Sequence, residues 1–417
     1  MSRDVVLLFA TRMLRMFGYG LLSVILVLYL GALGLSEARV GLLFTLTLVG
    51  DTAISLFITT NADRVGRRRM LTLGAVLMLG AGALLATTSW LPLLLLGATI
   101  GVVSPSGNEV GPFLAIEQSA LSEEVAAQDR TSVFAWYNLA GSLATAVGAL
   151  VGGGLVQLLC AHGFAVLSAY RAVVLSYGAV AVAMMALFGA LSQKVEPPPA
   201  ARVTRRPSIL EPNLGLGPSR GKVFTLAGLF TLDSFAGGFV VQSFLAAWFH
   251  TRYGVSPATL GGIFFLANVL AGLSALSASR LAKRLGLLAT MVGTHLPSNL
   301  LLLLVPLMPN LPLAIAMLLA RFSISQMDVP TRQAYTMALV LPAERSAAAG
   351  VTGIARTIGA SLAPLLAGPL FAKAALASVP FFLAGGIKIV YDLLVWRTFG
   401  KVRLPDAQPG PERRGVG

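Results

Sequence analysis

Charged residues are scarce in this chain. Only 12% of its 417 residues are Asp, Glu, Lys or Arg, whereas 56% are hydrophobic and the mean hydropathy is +0.80. Soluble domains carry about 25% charged residues, so this deficit excludes a soluble globular protein. Each helical crossing of a bilayer needs about 20 apolar residues. The composition therefore predicts a multi-pass integral membrane protein.

Cysteine and histidine are also rare. Cys160 is the single cysteine, which excludes an intrachain disulfide and a cysteine-rich metal site. The three histidines are scattered over the sequence, and there is no His-Glu-x-x-His motif, nucleophile elbow or Walker loop. We therefore predict that the protein is not an enzyme. We expect no metal and no cofactor, with a proton gradient as the energy source.

What the chain does contain is a series of twelve apolar segments that are suited to span a membrane. Both ends of the chain are then expected on the same side. The segments are 5–30, 40–60, 70–90, 92–117, 131–159, 165–191, 222–249, 257–279, 287–308, 312–340, 346–371 and 378–399.

The net charge of +14 is distributed unevenly between the two sides. Among the loops that these segments define, only Arg39, Arg252 and Lys373 lie on the side opposite the termini. Such asymmetry is the positive-inside pattern, and it predicts that both termini are cytoplasmic. The basic charge thus indicates topology and contact with membrane lipids, not nucleic-acid binding. The Ala/Gly/Arg-rich composition favours a bacterial inner membrane.

The sequence also repeats itself. A shift of about 220 residues aligns Gly34-Leu35-Ser36 with Gly254-Val255-Ser256, and Leu91-Pro92 with Leu311-Pro312. Two six-helix units of the same direction follow, related by an axis along the membrane normal. The predicted organisation is an N-terminal bundle at 1–191, a flexible Pro/Gly-rich cytoplasmic linker at 192–221, a C-terminal bundle at 222–400 and a disordered cytoplasmic tail at 401–417.

The hairpin between the second and third segments carries a family signature. It reads Asp63-Arg64-Val65-Gly66-Arg67-Arg68-Arg69. This resembles the loop 2–3 motif of the major facilitator superfamily, G-x-x-x-D-R-x-G-R-R, with Thr59 or a neighbour in place of the leading glycine. Glycine permits the tight backbone, and the carboxylate can pair with arginines. The resemblance implies a gating latch formed by Asp63, Arg64, Gly66, Arg67 and Arg68.

The second half contains a weaker copy of this hairpin, Leu281-Ala282-Lys283-Arg284-Leu285-Gly286. Lys283 stands where the first copy has Asp63, so we expect the latch to gate the first half alone. A plain topogenic loop is the alternative interpretation.

A second signature lies in the fifth segment. Gly148, Gly152 and Gly153 resemble the antiporter motif G-P-x-x-G-G of the same family, although Ala149 replaces the proline. The eleventh segment keeps the proline as Pro364. Small residues allow close helix packing, and packing without any role in coupling is the alternative.

The resemblance covers essentially the whole chain and implies the fold. It predicts an all-α membrane protein of the major facilitator superfamily fold, with two pseudo-symmetric six-helix bundles, twelve transmembrane helices in all, around a central cavity. In that family, spans 1, 4, 7 and 10 line the cavity. We expect a monomer whose partners are a small-molecule substrate and membrane lipids.

Polar stripes at helical spacing fall on two of these spans. Ionisable residues within a membrane usually face a cavity or a partner, and spacings of three and four place each stripe on one helix face. We therefore predict that the substrate cavity contains Arg12, Arg15, Tyr19, Arg321, Ser325, Asp328 and Arg332.

A proton carrier must be a carboxylate that alternates between ion pairing and protonation. Asp51, Asp233 and Glu109 lie within predicted spans and are the candidates for proton coupling. We expect Asp233 or Asp51 to pair with Arg15 when the cavity is empty. A static ion pair that holds the helices together is the alternative for each carboxylate.

Two further polar pairs are spaced i, i+4. Lys388 and Asp392 in the twelfth span predict a local salt bridge. His295 and Asn299 in the ninth span predict a hydrogen-bonded contact between helices.

These observations predict a secondary active transporter of a small solute that works by alternating access, with proton-coupled efflux (antiport) as the leading mode. A solute importer, either symporter or uniporter, is the main alternative. A non-transporting sensor of transporter fold is a third possibility, although no long polar segment supplies a soluble domain.

Overall fold

The computed structural model describes residues 2–109, 111–126, 129–196, 216–341 and 344–402, and this part of the chain is almost entirely helical. We number the α-helices in chain order. They are α1 Arg3–Ala32, α2 Glu37–Val65, α3 Arg67–Thr87, α4 Leu91–Ile100, α5 Phe113–Glu124, α6 Arg130–Ala161, α7 Val166–Ala190, α8 Arg220–Gly238, α9 Gln242–Tyr253, α10 Pro257–Leu285, α11 Leu287–Leu304, α12 Leu311–Ser325, α13 Asp328–Leu339, α14 Arg345–Phe371 and α15 Val379–Phe399.

Glycine forms both basic hairpins. Gly66 joins α2 to α3 with φ 118°, and Gly286 joins α10 to α11 with φ 87°. Residues with a Cβ rarely adopt a positive φ, so each hairpin reverses the chain within a single residue. The two copies seen in the sequence are therefore equivalent backbone turns on one face of the molecule. We call this side, which also carries the described ends of the chain, the basic face, and the opposite side the far face.

The fourth span is broken, not continuous as predicted. Eleven segments of the described chain are long and apolar enough to cross a membrane, and α4 is a shorter apolar helix. Between α4 and α5 the described residues 101–109 and 111–112 are not helical, because they include two prolines and the positive-φ residues Gly107 and Gly111. Glu123 at the end of α5 pairs with Arg67 at the basic face, 2.8 Å away. Together, α4 and α5 therefore form the fourth span, which brings the number of spans to twelve.

Spans seven and ten are also interrupted. Residues 239–241 separate α8 from α9, and residues 326–327 separate α12 from α13. Non-helical backbone at membrane depth is tolerated where it is buried in protein or lines a cavity. The three interruptions therefore mark the interior site toward which spans four, seven and ten converge.

The two halves pack closely at the far face, where α6 contacts α10 and α2 contacts α14. A Cβ added at Gly153 would lie 2.0 Å from the carbonyl oxygen of Pro257, and one at Gly41 would lie 2.3 Å from that of Pro364. The backbones therefore touch directly, as small residues permit in membranes.

Aromatic rings complete this closure. Phe244 packs against Phe44 of the other half and against Phe371, with ring centroids 5.2 Å apart in each pair. Around the basic hairpin, by contrast, the ion pairs of Arg67 lie within the first half. The conformation is thus one in which the halves are closed at the far face.

The segment between the bundles is partly visible. Val195 is buried and Glu196 bonds to the basic hairpin, so the beginning of the predicted linker is docked on the first half. The predicted linker residues 197–215 and tail residues 403–417 lie outside the described residues.

Closure at the far face predicts a conformational effect of Gly153→Ala. Overpacking costs about 1–3 kcal/mol, which corresponds to about a 5- to 150-fold shift in population when it acts on one conformation. We expect a reporter cysteine at Ser243, in a Cys160→Ser background, to react correspondingly faster with a membrane-impermeant thiol reagent. Gly154→Ala is the matched control, because its Cβ would meet nothing within 4 Å. Equal reactivity in the two variants would contradict the proposed closure.

Candidate transport site

A cavity of about 240 Å³ lies between the halves at the broken spans. Its wall contains residues from all three interruptions and from both halves. Most of its polar groups are uncharged amides and hydroxyls, and only two side chains are charged. The polar residues of the wall are Ser106, Asn108, Ser142, Thr145, Gln242, Asn268, Gln326, Arg321 and Lys388.

A chain of uncharged hydrogen bonds joins the halves beside this cavity. The Gln242 amide donates to the Ser23 hydroxyl at 2.7 Å, and the Asn268 amide donates to the Gln242 carbonyl at 3.2 Å. The Ser243 hydroxyl contacts the carbonyl oxygens of Ser23 and Pro105, at 2.8 and 2.7 Å. These bonds link α1 and the break in span four to α9 and α10, and we call them the gate bonds.

The first half contains a balanced ion-pair cluster. Glu109 pairs with Arg12 at 2.5 Å and with Arg15 at 2.8 Å, and Glu117 pairs with Arg15 at 2.7 Å. The Tyr137 hydroxyl also donates to Glu117. The prediction that Asp51 or Asp233 pairs with Arg15 is wrong, because Arg15 is paired with two carboxylates of span four.

Asp51 lies beside this cluster without a cation. It is buried in α2, and a Cβ added at Gly111 would lie 3.6 Å from its Oδ1. That oxygen has no hydrogen-bond partner among the described residues. Asp51 therefore faces the same break in span four that carries Glu109.

The second half contains a larger cluster around Asp233. Arg332 lies 2.8 Å and Lys388 2.5 Å from its two carboxylate oxygens, and Arg332 also pairs with Asp328 at 3.3 Å. The predicted Lys388–Asp392 bridge is wrong. Since Asp233 lies across from Lys388 on another helix, the lysine pairs there instead of with its own helix.

Asp392 is stabilised by the ninth span. His295 lies 2.8 Å from one of its oxygens, and the Asn299 amide donates to the other at 3.0 Å. The predicted role of these two residues in helix–helix hydrogen bonding is confirmed. The cluster thus ties α8, α11, α13 and α15 together.

Arg321 differs from the other predicted cavity arginines. It lies in the last turn of α12 on the cavity wall, and its guanidinium stacks 5.2 Å from the ring centroid of Phe322. It makes no ion pair or hydrogen bond with any residue that the structure describes, and its buried Nε is unpartnered. Lys388, the other charged wall residue, is held by Asp233.

The latch residues are organised around Arg67, which is buried although it lies at the membrane surface. Its guanidinium pairs with Asp63 at 3.0 Å and with both oxygens of Glu123, and it donates to Ser119 at 3.0 Å. All these residues belong to the first half. The latch role remains a prediction.

Glu196 adds a contact that the motif alone did not predict. Its carboxylate accepts from the backbone amides of Arg67 and Arg68, at 2.7 and 3.2 Å. These amides are the unsatisfied donors at the beginning of α3, where a negative charge is favourable. The basic hairpin is therefore tied to the residue at which the described part of the first half ends.

The antiporter-like glycines are packing residues in this conformation. A Cβ at Gly148 or Gly152 would lie 2.1 or 2.5 Å from carbonyl oxygens of α1, and Gly153 contacts α10. Pro364 contacts Gly41 of α2. The motif therefore lets α6 lie directly against both α1 and the opposite half.

Of the seven predicted cavity residues, Arg321 lies on the wall described above. Arg12, Arg15, Asp328 and Arg332 belong to the two ion-pair clusters, while Tyr19 and Ser325 are buried. The uncharged wall residues, such as Asn108, Gln242 and Asn268, were not among the predicted site residues. A search for amides within apolar spans, and not for charges alone, would have found them.

This architecture defines a class of protein: two repeated six-helix halves around a polar central cavity, closed at one face, form a membrane transporter of small solutes. Comparison with known proteins specifies the family. The family model of the Major Facilitator Superfamily matches residues 8–364, and the chain belongs to this superfamily.

Individual relatives agree with this assignment. An uncharacterized membrane protein of Saccharomyces cerevisiae (strain ATCC 204508 / S288c), YJR124C, is 29% identical over 94% of this chain and 93% of its own length. The solved nucleoside transporter NupG has a TM-score of 0.74 at 13% identity, covering 96% of this chain and all of that one. A bacterial homolog of the human lysosomal transporter Spinster, in an inward-facing and occupied conformation, has a TM-score of 0.71 at 16% identity, covering 95% and 97%. These likenesses show the fold.

The cluster around Asp233 predicts a large stability effect. Asp233→Asn leaves Arg332 and Lys388 without this anion, and breaking a buried pair costs about 3–5 kcal/mol. We expect a clear fall in unfolding temperature in detergent. The double variant Asp233→Asn/Lys388→Met removes one cation as well and should recover part of the loss. If the double variant is as unstable as the single one, the pairing is not what stabilises the cluster.

The latch predicts unequal effects of its members. Asp63 and Glu123 are each more than 40% exposed, so one such pair contributes only about 0.2–1 kcal/mol. Arg67→Gln removes several charge-assisted hydrogen bonds and should cost at least about 2 kcal/mol. We expect its unfolding temperature to fall well below those of Asp63→Asn and of Arg64→Gln, the exposed control in the same hairpin. Equal values would contradict the central role of Arg67.

Proposed function

We propose that the protein is a proton-coupled exporter that moves a small solute by alternating access of its two halves. It would reside in a bacterial inner membrane, which the Ala/Gly/Arg-rich composition favours, with both termini in the cytoplasm, which the distribution of basic residues favours. Its site lies between the halves at interrupted helices, as in secondary transporters built from repeats.

The observation that carries the proposal is the position of Glu109. This carboxylate lies in the break of span four, next to Asn108 of the cavity wall, and it bonds to both Arg12 and Arg15. A proton on Glu109 would break the ion pair of Arg12 and leave Arg15 held by Glu117 alone. Ligand binding and proton binding thus act on one short segment.

Asp51 supplies a second carboxylate at the same segment. Burying a charge is costly unless it is paired, so a carboxylate without a cation is suited to carry a proton. Asp233, the third candidate, is held by two cations. We therefore assign proton transfer to Asp51 and Glu109, and a structural role to Asp233.

The antiport direction is supported by the glycine motif of α6. Its residues place this helix against α1, which carries Arg12 and Arg15, and against α10 of the other half. A change in the ion pairs of α1 would therefore act directly on the interface that closes the far face.

The test uses purified protein in proteoliposomes, supplied with a desalted extract of polar cell metabolites and analysed by mass spectrometry. An acidic interior should drive accumulation of at least one metabolite, because the exit of protons is exchanged for solute entry. Accumulation driven by an alkaline interior would instead establish symport, and indifference to the gradient would establish uniport. Accumulation under none of these conditions would contradict transport.

Asp51→Asn should abolish the gradient-driven accumulation while leaving exchange of the same metabolite without a gradient. The amide keeps the shape of the side chain but cannot bind and release a proton as the carboxylate does. Glu37→Gln, an exposed carboxylate change at the beginning of the same helix, is the control and should behave as the unaltered protein. Full coupling in both Asp51→Asn and Glu109→Gln would exclude these residues as the proton carriers.

A further inference from the structure

We infer that the cavity binds a small monoanionic carboxylate whose charged group rests on Arg321. This inference rests on the proposed transport function and specifies the class of solute for the same site.

The charges within the membrane differ in balance between the two halves. The first half is balanced in number, since three arginines and three carboxylates lie within its spans: Arg12, Arg15 and Arg171 with Asp51, Glu109 and Glu117. Among the Arg, Lys, Asp and Glu side chains within the spans of the second half, the cations outnumber the carboxylates by one. The cations there are Arg321, Arg332, Arg356 and Lys388, and the carboxylates are Asp233, Asp328 and Asp392.

The surplus positive charge of the second half can be located from its ion pairs. Arg332 and Lys388 are paired with Asp233. Arg356 donates to the Ser234 hydroxyl at 3.4 Å and is not part of the cavity wall. Arg321 is without an ion pair or hydrogen bond to the described residues, and it lies on the cavity wall. Of the two arginines without an ion pair to the described residues, Arg321 is therefore the one that presents its charge to the cavity.

An unpaired guanidinium on a cavity wall selects ligands of a particular charge and shape. An intramembrane cation is expensive unless it faces a cavity or a partner, and a guanidinium binds a carboxylate through two parallel hydrogen bonds. One surplus charge matches one carboxylate. A phosphate monoester, with about −1.5 to −2 charges at neutral pH, would bring more negative charge than the single cation can neutralise.

The remainder of the wall indicates the rest of the ligand. Amides of Asn108, Gln242, Asn268 and Gln326 and the hydroxyls of spans four and five both donate and accept hydrogen bonds. They suit a hydroxylated body. The volume of about 240 Å³ is below the range of about 300–1,000 Å³ that is usual for pockets of drug-sized ligands. The site thus fits a small hydroxy acid, not a large apolar drug.

Ligand-induced stabilisation of the purified full-length protein tests the inference. The probes are matched pairs at constant ionic strength: lactate with 1,2-propanediol, glycerate with glycerol, gluconate with sorbitol, and inorganic phosphate. We expect at least one carboxylate to raise the unfolding temperature in a saturable manner, with no effect of its neutral counterpart and less effect of phosphate.

Arg321→Gln should weaken binding of that carboxylate at least tenfold, and Arg321→Lys should have an intermediate effect because it keeps the charge but not the planar fork. Arg171→Gln is the control, an arginine of α7 that is not part of the cavity wall. It should leave the affinity unchanged.

Three results would overturn the inference: no stabilisation by any carboxylate, equal stabilisation by the neutral counterparts, or unchanged affinity in Arg321→Gln. Since binding is measured without a membrane or pH gradient, these results are independent of coupling. Gradient-driven accumulation of neutral metabolites alone would refute the anionic ligand and leave proton-coupled export intact. Carboxylate binding without gradient-driven transport would refute proton-coupled export and leave the anionic ligand intact.

Discussion

Neutralisation of charge inside the membrane is the constraint on which this structure depends. A charged side chain in a span costs at least about 2.5 kcal/mol unless it meets a partner or water. The chain meets this constraint with two clusters, one around Glu109 in the first half and one around Asp233 in the second. Each cluster joins residues from several helices, so the ion pairs also fix how the helices of that half lie against one another. The halves themselves are then free to interact through small residues and uncharged hydrogen bonds.

The division between charged and uncharged contacts has a mechanical consequence. In the proposed alternating access, contacts between the halves form and break, and separating buried ions would be costly in each cycle. At the far face the structure uses Gly41 and Gly153, aromatic rings, and the hydrogen bonds of Gln242 and Ser243. A neutral hydrogen bond contributes only about 0.5–1.5 kcal/mol net. Such an interface can hold one conformation without making it permanent.

Much of the fold could be predicted from the sequence because its determinants are local. Apolar length indicates each span, the 220-residue repeat indicates two halves, and the residues around Gly66 indicate the hairpin and the family. The site was harder to predict because ion pairs across helices depend on rotation and depth. Lys388 illustrates the difficulty: its neighbour Asp392 is one turn away, yet it pairs with Asp233, which is distant in sequence. The break in span four was hidden for another reason, because its prolines and glycines lie within an otherwise apolar segment.

The two halves are related by sequence but differ in their charge, and this difference suggests a division of labour. The first half is electrically balanced, and its carboxylates Asp51 and Glu109 adjoin the break in span four; in the proposed mechanism this half handles the proton. The second half holds a surplus cation at the cavity, Arg321, and would handle the solute. Both functions meet at one short stretch of backbone. The Pro105 carbonyl accepts one of the gate bonds from Ser243, and Asn108 lies on the wall directly before Glu109. A change in the pairing of Glu109 would shift the same segment that takes part in the gate bonds. Proton binding, solute binding and closure would therefore be coupled through this segment alone.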